Sequence, residues 1–456
     1  MASAARIRSR SQSGSRSDGA GRPDARDPSS AQPGGRPAPA SLTGTFTPYK
    51  DSLSGRGGSP VVRRLVLLEV AGALVVCGWL VGTVALIAAG AVAAVVVVLA
   101  VGRRRGRALP EWLGTLLALR ARRRRAASTP VPPGTDSGLA PAVECDPALR
   151  TCSYSRGESR DRRPIGMVGD GSFLTAVLQV ESDADALRAE RGRRPLPLAL
   201  VRDVLEVDGI RLESAQIVLH TQPAPALHLP QQSVVVSNYA PLQARTGSPA
   251  VRITWIALKL DPELCPEAVA ARGGGLPGAQ KCLARTAGHL ASRLTGAGFR
   301  ANVLTEEELT AAIATSACAN PMMTAQATQS GRGEAPQRRT EESSRNWRCD
   351  NRRHTTYWVR RWPPLGGSGG SLAQLVAQLT AVPALATTFS LTLARGARQD
   401  VALTGHVRIT GRNKQELVDA RRALEHAARE ARTGLARLDR EQLPGVLATL
   451  PLGGAR

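Results

Sequence analysis

Aromatic residues make up only 3% of the 456-residue chain. So few rings leave little on which to stack nucleobases, and nucleic acid is not expected as a partner despite a pI near 11.2. Lysine is nearly missing too, at four of the 60 basic residues, which points to an Arg-favouring codon bias as much as to a ligand. No GxxxxGK[ST] loop occurs, so this chain is not an ATPase of that class, and no HExxH zinc pattern occurs. The seven cysteines are odd in number and loosely spaced. They imply no disulfide framework, and Cys145 and Cys152, the one close pair, lack CxxC spacing. The six histidines are scattered singly, which speaks against a metal centre, and no cofactor is expected. The first 60 residues have no apolar core, so a cleavable signal peptide is not expected.

What the chain does have is one long greasy run, Leu65–Val101, in which Glu69 is the only carboxylate. As a single helix its 37 residues would measure ~55 Å. The hydrocarbon core of a bilayer is ~30 Å thick. Two short helices, Leu65–Val81 and Val84–Val101, fit better, with a turn near Gly82-Thr83. Arg63 and Arg64 precede the run, and Arg103, Arg104, Arg105 and Arg107 follow it. Short Arg-rich flanks stay in the cytoplasm, and two basic ends call for an even number of spans. The reading is a two-span hairpin (63–103) in a bacterial inner membrane, with both termini cytosolic. Glu69 is read as an interfacial residue without a role.

The net charge of +23 is concentrated around this run. Residues 1–64 hold ten Arg and one Lys against four Asp, and residues 103–125 hold nine Arg against one Glu. Such flanks suit anionic membrane lipids, at ~1 kcal/mol per basic residue near the surface.

Around the hairpin the expected organisation is as follows. Residues 1–62, rich in Ser, Gly, Pro and Arg, form a disordered basic tail. Residues 104–160 are a basic juxtamembrane segment and linker. Within them Leu109–Leu119 is an interfacial helix with Trp112 at headgroup depth, or alternatively a cytosolic packing helix. A mixed α/β (α+β) cytosolic domain follows in two parts, 161–319 and 346–456, separated by a mobile insertion at 320–345. Its elements include a hairpin around Gly169-Asp170-Gly171, a buried strand at Val251–Leu260 and an amphipathic helix at Ala279–Ala297. Thr305-x-x-Glu308 caps a further helix. A strand starts near His354, two more run at Thr387–Ala394 and Val401–Thr410, and a last helix extends from Asn413 to about Leu438. The order strand–helix–strand–strand–helix appears twice, over 172–297 and 354–438, and VRIT recurs at 251–254 and 407–410.

Candidate chemistry is sparse. Gly166–Gly171 is read as a hairpin turn rather than a phosphate loop. Gly366–Gly370 fits GxSxG but is all small residues, so it reads as a flexible loop. Glu306–Glu308 is explained by the helix start. The unusual stretch is Arg345–Trp362, where three Trp and one Tyr interleave with six Arg. Arg, Trp and Tyr are enriched at interfaces. Trp347, Arg352, Arg353, Tyr357, Trp358, Arg360, Arg361 and Trp362 are therefore candidate interface residues. The alternative is a locally packed Trp-rich strand.

The hydrophobic hairpin, WIALKLDP (Trp255–Pro262), the Cys282–Leu294 helix and the RNWRCDNRRHTTYWVRRWP strand (Arg345–Pro363) together resemble EccE, a membrane component of the type VII (ESX) secretion system. The resemblance covers roughly Arg63–Leu438. It implies two membrane spans, a cytosolic α/β domain, assembly with EccB, EccC and EccD, and no catalytic residues or small-molecule substrate. The reading is thus a non-enzymatic structural subunit of a secretion complex. The alternative is a membrane-tethered enzyme acting on lipid-linked or nucleotide-sugar substrates, with phosphates held beside the basic collar.

Overall fold

The computed structural model describes residues 60–101, 103–104, 107–155, 163–182, 195–223, 230, 232–246, 249, 251–330, 338–363, 371–395 and 401–454. The expected tail lies outside them, apart from the start of the first helix, and so does the Gly366–Gly370 loop. Described side chains exclude those of Arg63, Arg64, Arg103 and Arg104, and Arg105 falls outside altogether.

The greasy run forms two helices, α1 (Pro60–Val81) and α2 (Thr83–Val101). They are separated at Gly82, whose φ of 136° suits only glycine. A Cβ on Gly78 would lie 2.6 Å from Ala89 Cβ, so the helices meet through small residues. Trp79, Leu80, Val81, Val84 and Ile87 point outward, each more than 70% exposed. Among the described residues no helix is long and apolar enough to cross a membrane. The described side chains of α1 are those of Leu65, Val66 and residues 68–81, and those of α2 are residues 83–98 and Val101.

A two-residue ladder, β1 (Arg103–Arg104) with β2 (Arg107–Ala108), leads into α3 (Leu109–Ser128), which runs through the Arg cluster without a break. The rest of 104–160, expected as juxtamembrane segment and linker, contributes α4 (Ala140–Cys145) and strand β3 (Arg150–Tyr154). Next come β4 (Ile165–Gly169), β5 (Leu174–Ser182), α5 (Leu198–Asp203), the small hairpin β6 (Glu206–Val207) and β7 (Ile210–Arg211), and β8 (Ser214–Gln222). Helix α6 (Val234–Thr246), β9 (Val251–Leu260), α7 (Pro266–Ala270), α8 (Gly275–Gly296) and β10 (Phe299–Val303) follow. Then α9 (Glu306–Ser316) opens on the expected capping box. Residues 320–345, expected as a mobile insertion, hold α10 (Pro321–Ser330) and β11 (Thr340–Glu342). The chain ends with β12 (Trp347–Cys349), β13 (Arg352–Arg361), α11 (Leu372–Thr380), β14 (Ala386–Arg395), β15 (Val401–Gly411), α12 (Lys414–Glu430), β16 (Gly434–Arg437) and α13 (Gln442–Leu447). The last long helix therefore stops before Leu438. Thr433 N bonds back to Ala428 O, and the chain turns into β16.

Twelve strands form one sheet, in the order β11-β12-β13-β15-β14-β8-β9-β5-β4-β3, with β10 on β5 and β16 on β13. The sheet itself divides into two halves. Each half follows the β-α-β-β-α-β plan of ferredoxin-like units. The first runs β5, α5, β8, β9, α8, β10 and pairs in the order β10-β5-β9-β8. The second runs β13, α11, β14, β15, α12, β16 and pairs as β16-β13-β15-β14. In both, a preceding short strand (β4 or β12) shares the edge of the first strand with the last one. The halves join where β8 lies antiparallel to β14. The VRIT recurrence is not the trace of this repeat. It opens β9, opposite Leu219–Gln222, but closes β15, opposite Ala386–Phe389.

One apolar layer packs α5, α7, α8, α11 and α12 on one face of the sheet. A second packs α4, α9 and α13 on the other. The second face is unusually polar at its centre. Gln216 bonds Ser390 Oγ (2.8 Å), Ala448 O (2.9 Å) and Gly453 N (2.8 Å), and so ties the C-terminal residues across the seam. His220, His354 and His406 lie on the same face and are buried. Burial, with the nearby Arg408 charge second, pushes His220 down to about 3. Burial alone takes His406 to about 4. His354 sits well below its usual range, again chiefly through burial.

These imidazoles give the fold an acid sensitivity whose sign is fixed. Their folded pKa values lie below the unfolded value of about 6.5, so the unfolded chain binds more protons as pH falls. Stability is complete above about pH 6.5 and declines below it, by about 1.4 kcal/mol per pH unit for each histidine. Melting of the full chain between pH 6.5 and 5 should show this slope, and His220→Gln should remove about a third of it, as one of three groups. An unchanged slope in His220→Gln would refute the assignment.

Candidate interface and anchor

Strand β13 carries most of the Trp/Arg stretch, and is buried over its first part and exposed toward its end. Trp347 is buried, its ring 4.9 Å from that of His354. Arg352 is 2% exposed and donates through Nη1 to Cys318 O (2.7 Å) and Ala319 O (3.0 Å). Tyr357 is buried against α12, where its hydroxyl donates to Glu425 Oε1 (2.6 Å) and accepts from Arg421 Nε (3.3 Å). Burial, reinforced by Glu425, raises that phenol well above its usual range. Trp362 is half-buried against Gly405, and Arg353 is half-buried. Trp358 is 39% exposed, and Arg360 and Arg361 are exposed. The packed-strand alternative therefore describes Trp347, Arg352 and Tyr357. A free surface remains at Trp358, Arg360 and Arg361. A bulge between Val359 and Arg361 re-aims that end of the strand.

Helix α3 lies alongside edge strand β11, and its contacts are specific. Arg122 meets Glu342 through two bonds, Nε–Oε2 at 2.9 Å and Nη2–Oε1 at 3.0 Å. Glu342 Oε1 also accepts from Leu443 N (3.0 Å), and Arg122 Nη2 donates to Arg440 O (2.5 Å). Arg123 Nε donates to Glu342 O, and Arg338 Nη1 to Ala126 O. The Arg440 guanidinium stacks 4.7 Å from the centre of the Trp112 ring. Trp112 therefore faces Arg440 of the domain. The outward stripe of α3 is Leu113, Leu117, Arg120 and Arg124, all exposed at helical spacing.

The other motifs read from the sequence resolve structurally. Gly166–Gly171 is the β4–β5 hairpin, with Asp170 Oδ1 accepting from Ser172 N. A Cβ on Gly166 would fall 2.4 Å from Glu306 N, so that glycine admits the start of α9 rather than a phosphate. Glu308 reaches back to Thr305 N, the chief cause of its lowered pKa. Among the described residues no His, Cys, Asp and Glu group could hold a metal ion. A cleft of about 980 Å³ opens between α9 and α10. Its lining includes Asp136, Glu306 and Glu307 but no Arg, Lys or His, a poor match for the phosphates of a nucleotide sugar or lipid-linked substrate. Sequence reasoning missed the buried polar row on the second sheet face, since Thr and His within β-branched runs look like ordinary strand.

The family model described as "Putative type VII ESX secretion system translocon, EccE" matches residues 248–359, from β9 to β13. Comparison with curated proteins returns no match.

The α3 clamp makes a direct prediction. Glu342 is buried and its removal strands Arg122 and Leu443 N, a loss of about 3–5 kcal/mol for a broken buried pair. In Glu342→Ala, trypsin should cut at Arg120–Arg125 much faster than in the parent. Identical cleavage would mean that α3 is held by other contacts.

Proposed function

From the premise that the chain is an EccE-family protein through residues 248–359, we propose that it is a non-enzymatic, membrane-anchored subunit of a type VII secretion complex. Helices α1 and α2 are the two-span anchor. Every residue of α2 is apolar apart from Thr83, and its exposed Val and Ile side chains favour lipid over water. The Arg flanks keep both ends in the cytosol. The exposed Leu113, Leu117, Arg120 and Arg124 stripe of α3 rests on the inner leaflet, while the opposite face grips the α/β domain. The observation that carries the reading is the family match, which runs from β9 into β13 and takes in Trp358, with Arg360 and Arg361 just beyond its end. Trp358, Arg360 and Arg361 are the residues that contact neighbouring subunits of the complex.

Two experiments test it. A reporter fused after Arg456 should respond only to a cytosolic assay, and a signal outside the cell would reverse the topology. On native gels of detergent-solubilised membranes, the chain should run in a large assembly. The Trp358→Ala, Arg360→Glu, Arg361→Glu variant should shift to a free form without a change in melting temperature, since all three side chains are exposed. An intact assembly in that variant would place the contact elsewhere.

A further inference from the structure

Two guanidinium groups, Arg352 and Arg408, are buried on the second sheet face at 2% and 0% exposure. Both point at the end of α9. Arg352 bonds the carbonyls of Cys318 and Ala319, and Arg408 Nη2 bonds Ser316 O. Cys318, at φ 52°, turns these carbonyls toward them, with Ala319 N closing on Ala314 O. A helix C-terminus offers about half a negative charge, against two full positive ones. Among the described residues neither arginine has a carboxylate ion pair. Asp350, the carboxylate nearest in effect to Arg352, is held by Arg339 at 2.7 and 2.8 Å. Around Arg408 the acids are thiols, and burial keeps Cys145 and Cys349 protonated. A buried cation left this way destabilises the fold.

The uncompensated charge coincides with orphaned donors. Arg408 Nε and Nη1, Thr356 Oγ1 and His354 Nε2 have no hydrogen-bond partner among the described residues. Register places them together: Thr356 is directly across from Arg408, and His354 is opposite Thr410, one pleat along the same face. Cys318 Sγ lies 3.6 Å from Thr410 Oγ1, which lies 2.9 Å from His354 Nδ1. With the thiol donating to Thr410 and Thr410 donating to Nδ1, the imidazole proton sits on Nε2, a further donor. The region is sealed by α13, where a Cβ on Gly445 would lie 2.9 Å from Thr356 Cβ.

We propose that Arg408, Thr356 and His354 form an internal site for a small monatomic anion of the chloride class, which neutralises the buried cation. Water would meet the donors but leave the charge. The site is independent of the proposed subunit role. The test uses the full chain in detergent, melted in sodium chloride and in sodium gluconate at equal ionic strength. A saturable rise in melting temperature with chloride is expected in the parent and should vanish in Arg408→Met. Thr356→Val keeps the cation, and should raise the half-maximal chloride concentration about tenfold, the loss of one hydrogen bond to a charged group. Crystals of the parent grown in bromide should show an anomalous peak beside Arg408. No chloride effect on the parent, or an empty anomalous map at Arg408, would overturn the proposal.

Discussion

The antiparallel ladder between Ser214–Thr221 of β8 and Thr387–Ala394 of β14 is the contact on which the architecture rests. Each half alone would leave one of these strands as an open edge, a liability for any sheet. Paired, they become the middle of a twelve-stranded surface with helices on both sides. Because both faces are covered, β14 is buried from Ala386 to Leu393, and its alternate Thr and Ser side chains must find partners inside. Thr388 and Ser390 meet His220 and Gln216 across the seam, and Gln216 in turn anchors Ala448 and Gly453. The C-terminal residues thus lock the joint between the halves.

The same polar face explains how the ends of the fold are fastened. Ser316, at the end of α9, donates to Thr449 O and accepts Arg408. Gln442 of α13 accepts from Thr356 N through Oε1. The fold spends polar groups in its interior to fix α9 and α13 against one register of the sheet, since directional bonds discriminate between registers where apolar contacts would not.

At the other end, the β11 edge is covered by α3 through Arg122, Arg123 and Ala126. Edge protection and attachment to the hairpin are therefore one arrangement. The basic cluster that reads as a uniform lipid-facing collar is divided by this contact. Arg122 is committed to Glu342, while Arg120, Arg124 and Arg125 remain exposed.

Local signals determined much of this protein. The break at Gly82, the capping box at Thr305, the β4–β5 turn, the strand at Val251–Leu260 and the duplicated element order are all legible from residues close in sequence, because propensity, capping and turn chemistry act over a few positions. Only tertiary structure decided the rest. Arg352 and Tyr357 look as available as Trp358 and Arg361 until β12, β15 and β16 flank their strand and α12 covers one face of it, and Trp347 does so until β12 lays it against His354. Arg408 sits in an ordinary strand motif, VRIT, and nothing nearby marks it as buried. Its position depends on α9, some ninety residues earlier, and on α13 closing over the sheet, and partners at such separation leave no mark in a local pattern.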